Sequence, residues 1–320
     1  MCYECKPLLK AIDAYLAKAD NDLSEALGEE GYVEPDKTLS YAQDIEDGVT
    51  AALLDETDYI LAEAEKAVDL EAFAEEVWPK VKLNDDLKAK LLTIFKERLG
   101  EFMPEFIGYY IAQTDPELYL AQVSERTTAW VEEWSADLAD IMQLNSHTEI
   151  EAILKKGLDE GSGIAEFTRA IQESGLRNEY YKARRVAVTE VLRAHSVAQQ
   201  EAFMQSPAVA EKAWKHTGSY RNSPRQNHVD MDGQRVAKDA PFELTGADGQ
   251  LYYPMYPRDP SLPPGESINC HCISQPIVSK EVLGLSLEER QRLQQEAIDR
   301  MDDDWKKELD ARNRAKAGIE

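Results

Sequence analysis

The stretch AVTEVLRAHSVAQQEAFMQSPAVAEKAW, Ala187 to Trp214, decides the fold class. Up to Met204 its apolar residues recur at helical spacing. Tyr181, Val188, Val191, Leu192, His195, Ala198 and Ala202 fall on one face, so the spacing predicts a long buried helix over about 177–204. Beyond Pro207 that pattern stops, and Val209 to Trp214 reads as a short helical turn or a strand. The prolines mark the same border: five lie in 1–116, none in 117–206 and nine in 207–276. An interior proline breaks a helix, so the long gap is helical and the last cluster is loops and short strands. The expected fold is α+β: a mostly α-helical N-terminal region, a smaller C-terminal α+β module and a terminal helix.

Outward from this stretch, four segments are expected: 1–114, an acidic helical region; 115–205, the long-helix region; 206–280, the α+β module; and 281–320, a charged terminal helix. Leu8, Leu9, Ile12, Tyr15, Leu16, Ala19 and Leu23 recur at helical spacing, as do Ala42, Ile45, Val49, Ala52 and Leu53. Asp115-Pro116 has the form of an N-cap with proline at the first helical position. Thr148 to Glu151 and Ser286 to Glu289 have the form of capping boxes. Gly161-Ser162-Gly163 reads as a break, with Ser162 capping a helix over 164–173. Asp232-Gly233 and Asp248-Gly249 are turn signals between short strands, and Cys270 to Val278 reads as the last strand.

The 320 residues hold 36 Lys/Arg against 61 Asp/Glu, a net charge of −25. With 43% hydrophobic and 30% charged residues the balance is globular. No apolar run reaches the roughly 18–20 residues of a membrane span, and Met1 to Pro7 does not read as a signal peptide. Residues 1–150 carry 12 Lys/Arg and 34 Asp/Glu, whereas 151–320 carry 24 and 27. A surface built mainly for DNA or anionic lipid is therefore not expected, least of all in the first half.

Four cysteines fall in two pairs, Cys2/Cys5 and Cys270/Cys272, and read as reduced thiols. Cys270 and Cys272 with His228 or His271 could assemble a tetrahedral zinc site, because zinc takes thiolate and imidazole ligands. Cys2 and Cys5 have the spacing of a further half-site. His228, Asp230 and Asp232 alternate and would share one face of an extended segment, although a hairpin closed by Asp232-Gly233 accounts for the carboxylates as well. His195 reads as a hydrogen-bonded core histidine, Glu190 as an outward or core-paired carboxylate, and Asp302-Asp303-Asp304 as a solvated helix face. Phosphate-loop, dinucleotide-binding, nucleophile-elbow and HExxH patterns are missing.

In one order the chain carries Ala187-Val188-Thr189-Glu190, Trp214, Arg225-x-x-His228, Asp232-Gly233, the prolines 254, 257 and 260, and Asn269-Cys270-His271-Cys272. Over 184–278 this resembles the phage Mu F-like family of minor head, or head morphogenesis, proteins of tailed bacteriophages. Val188 and His271 stand where that family commonly has Arg. The resemblance implies a structural protein of the capsid interior, associated with the portal vertex and aiding genome packaging or delivery. Its implied partners are the portal protein and capsid or scaffold proteins, with weak local DNA contact and no membrane. It would reside in the virion, and in the host cytoplasm during assembly. No enzymatic activity is expected. The alternative is a metal-dependent hydrolase or ADP-ribosyltransferase-like transferase acting on nucleic acid or nucleotide, which needs His228, Asp230, Asp232, Cys270 and Cys272 to converge on an open pocket. A third reading, nucleic-acid binding, would use Lys212, Lys215, Arg221, Arg225 and Arg235.

Overall fold

The computed structural model describes residues 22–217 and 224–319, without the side chains of 174–181. The expectations for Cys2, Cys5, Leu8 to Ala19, the Tyr181 side chain and Arg221 lie outside the described residues. The helices before the sheet are α1 (22–30), α2 (Pro35–Ala64), α3 (Leu70–Ala72), α4 (Trp78–Asn84), α5 (Leu87–Thr114), α6 (Glu125–Glu160) and α7 (Ile164–Gln205). A π-helical turn, Phe73–Val77, joins α3 to α4. Then come β1 (Val209–Lys215), α8 (Gln226–Asp230), β2 (Arg235–Ala237), β3 (Leu244–Thr245), β4 (Leu251–Tyr252), α9 (Pro264–Ser267), β5 (Ile273–Val278), α10 (Lys280–Leu283) and α11 (Leu287–Lys316). The architecture is α+β and mostly helical. No helix among the described residues is long and apolar enough to cross a membrane.

Several local expectations change. The helix foreseen after Asp115 starts at Glu125. Asp115 instead folds a turn, accepting the Glu117 N–H at 3.1 Å and both arms of a bond from Arg290 at 2.6 Å. The helix is capped by Ser124, whose Oγ accepts the Thr127 N–H. Thr148 lies inside α6, where backbone donors are already used, and its hydroxyl turns back to the Leu144 carbonyl at 2.7 Å. The break foreseen between 173 and 177 is absent: Gly175 is carried within one helix, at a cost of about 1 kcal/mol that long packed helices absorb. Gly163, not Ser162, precedes α7 and gives its N–H to Glu166, so the Ser162 cap is not formed; three other readings match. Helix α6 ends before Gly161-Ser162-Gly163, Ser286 caps α11 by accepting the Glu289 N–H at 3.2 Å, and Ala42, Ile45, Val49, Ala52 and Leu53 are all buried.

The chain forms two compact units that are not sequential. One comprises residues through Tyr41, Phe102–Thr128 and Thr189 onward; the other comprises Ala42–Glu101 and Ala129–Val188. The second unit is all helical, and its core is built on Ile60, Leu70, Phe73, Trp78, Leu154 and Phe167. Gly157 allows a close helix approach there, since a Cβ would sit 2.9 Å from a Leu70 methyl.

The first unit holds the sheet, in the antiparallel order β2-β1-β5, and a β3-β4 hairpin. Pro276 is tolerated because β5 is an edge strand. Trp214, Met231, Phe242, Leu244 and Leu262 pack with Cys270 and Cys272 into its core. His195 is fully buried and fully bonded: Tyr110 Oη and Thr38 Oγ1 each lie 2.8 Å from a ring nitrogen. Thr38 donates onward to the Glu34 carbonyl, so its oxygen accepts from His195 Nε2–H and Tyr110 donates to Nδ1. Burial holds the His195 imidazole well below its usual range. Asp302 is not solvated: it accepts the Glu125 N–H at 2.8 Å, while Asp303 and Asp304 are exposed.

Two lysines of this unit are drawn inward, Lys212 fully buried and Lys238 partly buried. Lys212 donates to Gln200 Oε1 and the Met255 carbonyl, and burial lowers it to about 7. Lys238 donates to the carbonyls of Met204 and Ser206 at the end of α7, and burial lowers it to about 8. Between those values and the unfolded value near 10.4, the unfolded chain binds more protons than the folded one. Stability should therefore rise from pH 7 toward pH 10, by on the order of 1 kcal/mol per pH unit. Denaturant midpoints at pH 7, 8 and 9 test this: the midpoint should climb, and Lys212→Met should flatten the climb.

Candidate metal centre

The site grows from the turn between α8 and β2. Gly233 adopts φ +81°, which suits glycine, and its N–H returns to the Trp214 carbonyl at 2.8 Å. Asp232 Oδ1 accepts the His216 N–H at 2.8 Å. These bonds fix the end of β1, from which Trp214 enters the core and His216 follows two residues later. Helix α8 presents His228 from the other side. His228 therefore stands on a helical turn, and Asp230 points outward to Gln226, so the extended three-residue face is not formed.

The third wall is the chain entering β5. Asn269 takes φ +54°, and Arg225 donates to the preceding Ile268 carbonyl at 2.6 Å. Cys270 and Cys272 then point to one side and His271 to the other, as alternation requires. Cys270 Sγ lies 3.5 Å and Cys272 Sγ 3.7 Å from His228 Nδ1, and Cys272 Sγ lies 3.6 Å from His216 Nδ1. His271 is not brought to this cluster: its Nδ1 sits 2.8 Å from Glu30, and its carbonyl accepts from Tyr32 and Thr217.

A shell of bonds holds the four groups. Glu266, itself buried, lies 2.9 Å from His228 Nε2 and accepts from the Ala247 N–H and the Asn227 amide. Burial alone would raise its carboxyl, but these three bonds bring it below its ordinary value. Trp214 meets His228 edge-on at 5.7 Å. Arg258, 1% exposed, donates to the carbonyls of Cys270, Cys272 and Leu192 and to Ser196 Oγ. Arg193 donates to the Arg258 carbonyl and pairs with Glu190 at 2.9 Å, so Glu190 is core-paired, with Thr189 buried on the same turn of α7. The Cys270 thiol falls well below its usual range, chiefly through its bond with Cys272 and then through His228 and the Arg258 charge; the same bond and burial push Cys272 up.

Three residues of this arrangement were not singled out from the sequence. His216 carried a signal, two residues past Trp214 at the end of a strand. Arg258 sits in a proline-rich loop and Glu266 on the one-turn helix α9 that follows it, and local patterns do not set the path of either. In the other unit, Glu56, Asp85 and His147 also gather, but Asp85 accepts from Leu87 N–H, Gln143 and His147, and Ser146 donates to Glu56.

The family described as "Phage Mu protein F like protein" matches residues 148–275, a span that takes in Thr189 through Cys272. "Uncharacterized protein YqbB" of Bacillus subtilis (strain 168) is 31% identical over 303 residues, covering 92% of this chain and 98% of that protein. No solved structure matches significantly. With that full-length likeness and the motif residues gathered round one buried cluster, the chain belongs to the phage Mu F-like head morphogenesis family.

Proposed function

We propose that this chain is a minor head protein of a tailed phage, held at the portal vertex inside the capsid, where it assists head assembly and genome packaging or delivery. The observation that carries the reading is the destination of the motif residues. Arg225 donates to the Ile268 carbonyl, Asp232 accepts the His216 N–H, Gly233 returns its N–H to the Trp214 carbonyl, and His228 meets Cys270, Cys272 and Glu266, so these motif residues bond within the module, as in a scaffold. A pocket of about 360 Å³ lies in the other unit, lined by residues such as Ile60, Glu149 and Arg185, and no member of the cluster lines it. The hydrolase or transferase alternative draws no support from that pocket. The nucleic-acid reading is weakened likewise, since Lys212 is buried and Arg225 holds a carbonyl.

Charge supports protein partners. The helical unit holds 27 Asp/Glu against 14 Lys/Arg and would be repelled by packaged DNA. The test is co-purification of the full chain with the portal protein encoded by the same genome. Halves cut at residue 150 are unsuitable, because that cut severs α6 and divides both units. Retention at low salt that weakens as salt rises is expected. No retention on portal or capsid protein would remove the assignment.

A further inference from the structure

We propose that His216, His228, Cys270 and Cys272 hold one zinc ion in a closed, structural Cys₂His₂ site. The argument starts from the donor spacing. Zinc bonds of 2.3 Å to sulfur and about 2.0–2.1 Å to nitrogen, at tetrahedral angles, set sulfur and nitrogen about 3.6 Å apart. The three sulfur–nitrogen separations here are 3.5, 3.6 and 3.7 Å. The donor atoms of His228, Cys270 and Cys272 all lie within 4.8 Å of one another; His216 stands outside that group, 3.6 Å from Cys272 Sγ, and would complete the fourth position on metal binding.

Hydrogen bonding alone explains this less well. His228 Nδ1 has one lone pair in its ring plane, yet two sulfurs converge on it. A cation at the centre accounts for both at once. The other ring nitrogen meets the Glu266 carboxylate at 2.9 Å, which fixes the tautomer with Nδ1 free to ligate. A carboxylate behind a ligating histidine is the usual outer partner of zinc sites. Asp232 accepts the His216 main-chain N–H, which fixes the backbone that carries this ring. His271 is excluded, since Glu30 holds it on the opposite side of the strand.

Four protein ligands leave no open position, so this ion staples and does not catalyse. It would tie the end of β1, helix α8 and the entry to β5 together, around a core small enough to need it. The inference stands apart from the portal reading, since a zinc staple serves any function of this module.

The test uses the full chain, purified under reducing conditions without chelator. Elemental analysis should give about one zinc per chain. After exchange, cobalt(II) should show thiolate charge-transfer absorption and the intense visible bands of a four-coordinate site. Glu266→Gln should weaken zinc binding roughly 10–100-fold, His216→Ala at least as much, and His271→Ala not at all. Folded wild-type protein that carries substoichiometric metal and gives no four-coordinate cobalt spectrum overturns the site, and this reading needs no variant. Cobalt binding that survives His216→Ala unchanged, or that His271→Ala abolishes, overturns the ligand set.

Discussion

Arg258→Ala should destabilise the unit that contains it by about 3–5 kcal/mol, read as a fall in denaturant midpoint. The guanidinium is 1% exposed and donates to three carbonyls and one hydroxyl, linking α7 to both cysteines of the β5 entry. Alanine would leave those acceptors buried beside a cavity that cannot readily rehydrate. Arg258→Lys should recover only part of the loss, because a point charge cannot reach acceptors spread around a planar fork. A midpoint unchanged by either substitution would show that this loop does not tie the helix to the strand.

Trp214→Ala should cost a comparable amount, about 3–5 kcal/mol. The indole is 1% exposed and meets Phe242 edge-on at 5.3 Å as well as His228. Its removal opens the centre of the cluster that joins the sheet to the hairpin beside α8. Trp214→Phe should lose less than half as much, since most of the apolar surface stays buried. If the two substitutions cost the same, the edge-on ring contacts, and not the filled volume, hold this core.

The contrast between what was legible and what was not follows the range of the interactions. The proline gap and the apolar face of Val191, Leu192, His195 and Ala198 predict a helix because each choice is local, and all four are buried in α7. The Asp232-Gly233 turn was legible for the same reason. Asp115 misled because its best donors come from Arg290, 175 residues away, and a cap signal cannot see them. The interleaving of the two units was hidden likewise, since it depends on which parts of α2, α5, α6 and α7 pack together. In the site, Cys270, Cys272 and His228 were legible from residue type and spacing. Choosing His216 over His271 needed the strand geometry, because alternation sends His271 to Glu30 while the end of β1, held by Asp232 through a main-chain N–H, sets His216 beside Cys272.

The central claim, that this chain is a structural part of the phage head, is tested most directly by comparing heads made with and without it. Heads purified from cells carrying the intact phage genome should contain the chain at few copies relative to the major capsid protein. Deleting its reading frame should cut the yield of infectious particles, and restoring the full chain should recover it. Heads that lack the protein when it is present in the cell, with normal infectious yield after deletion, would contradict the account.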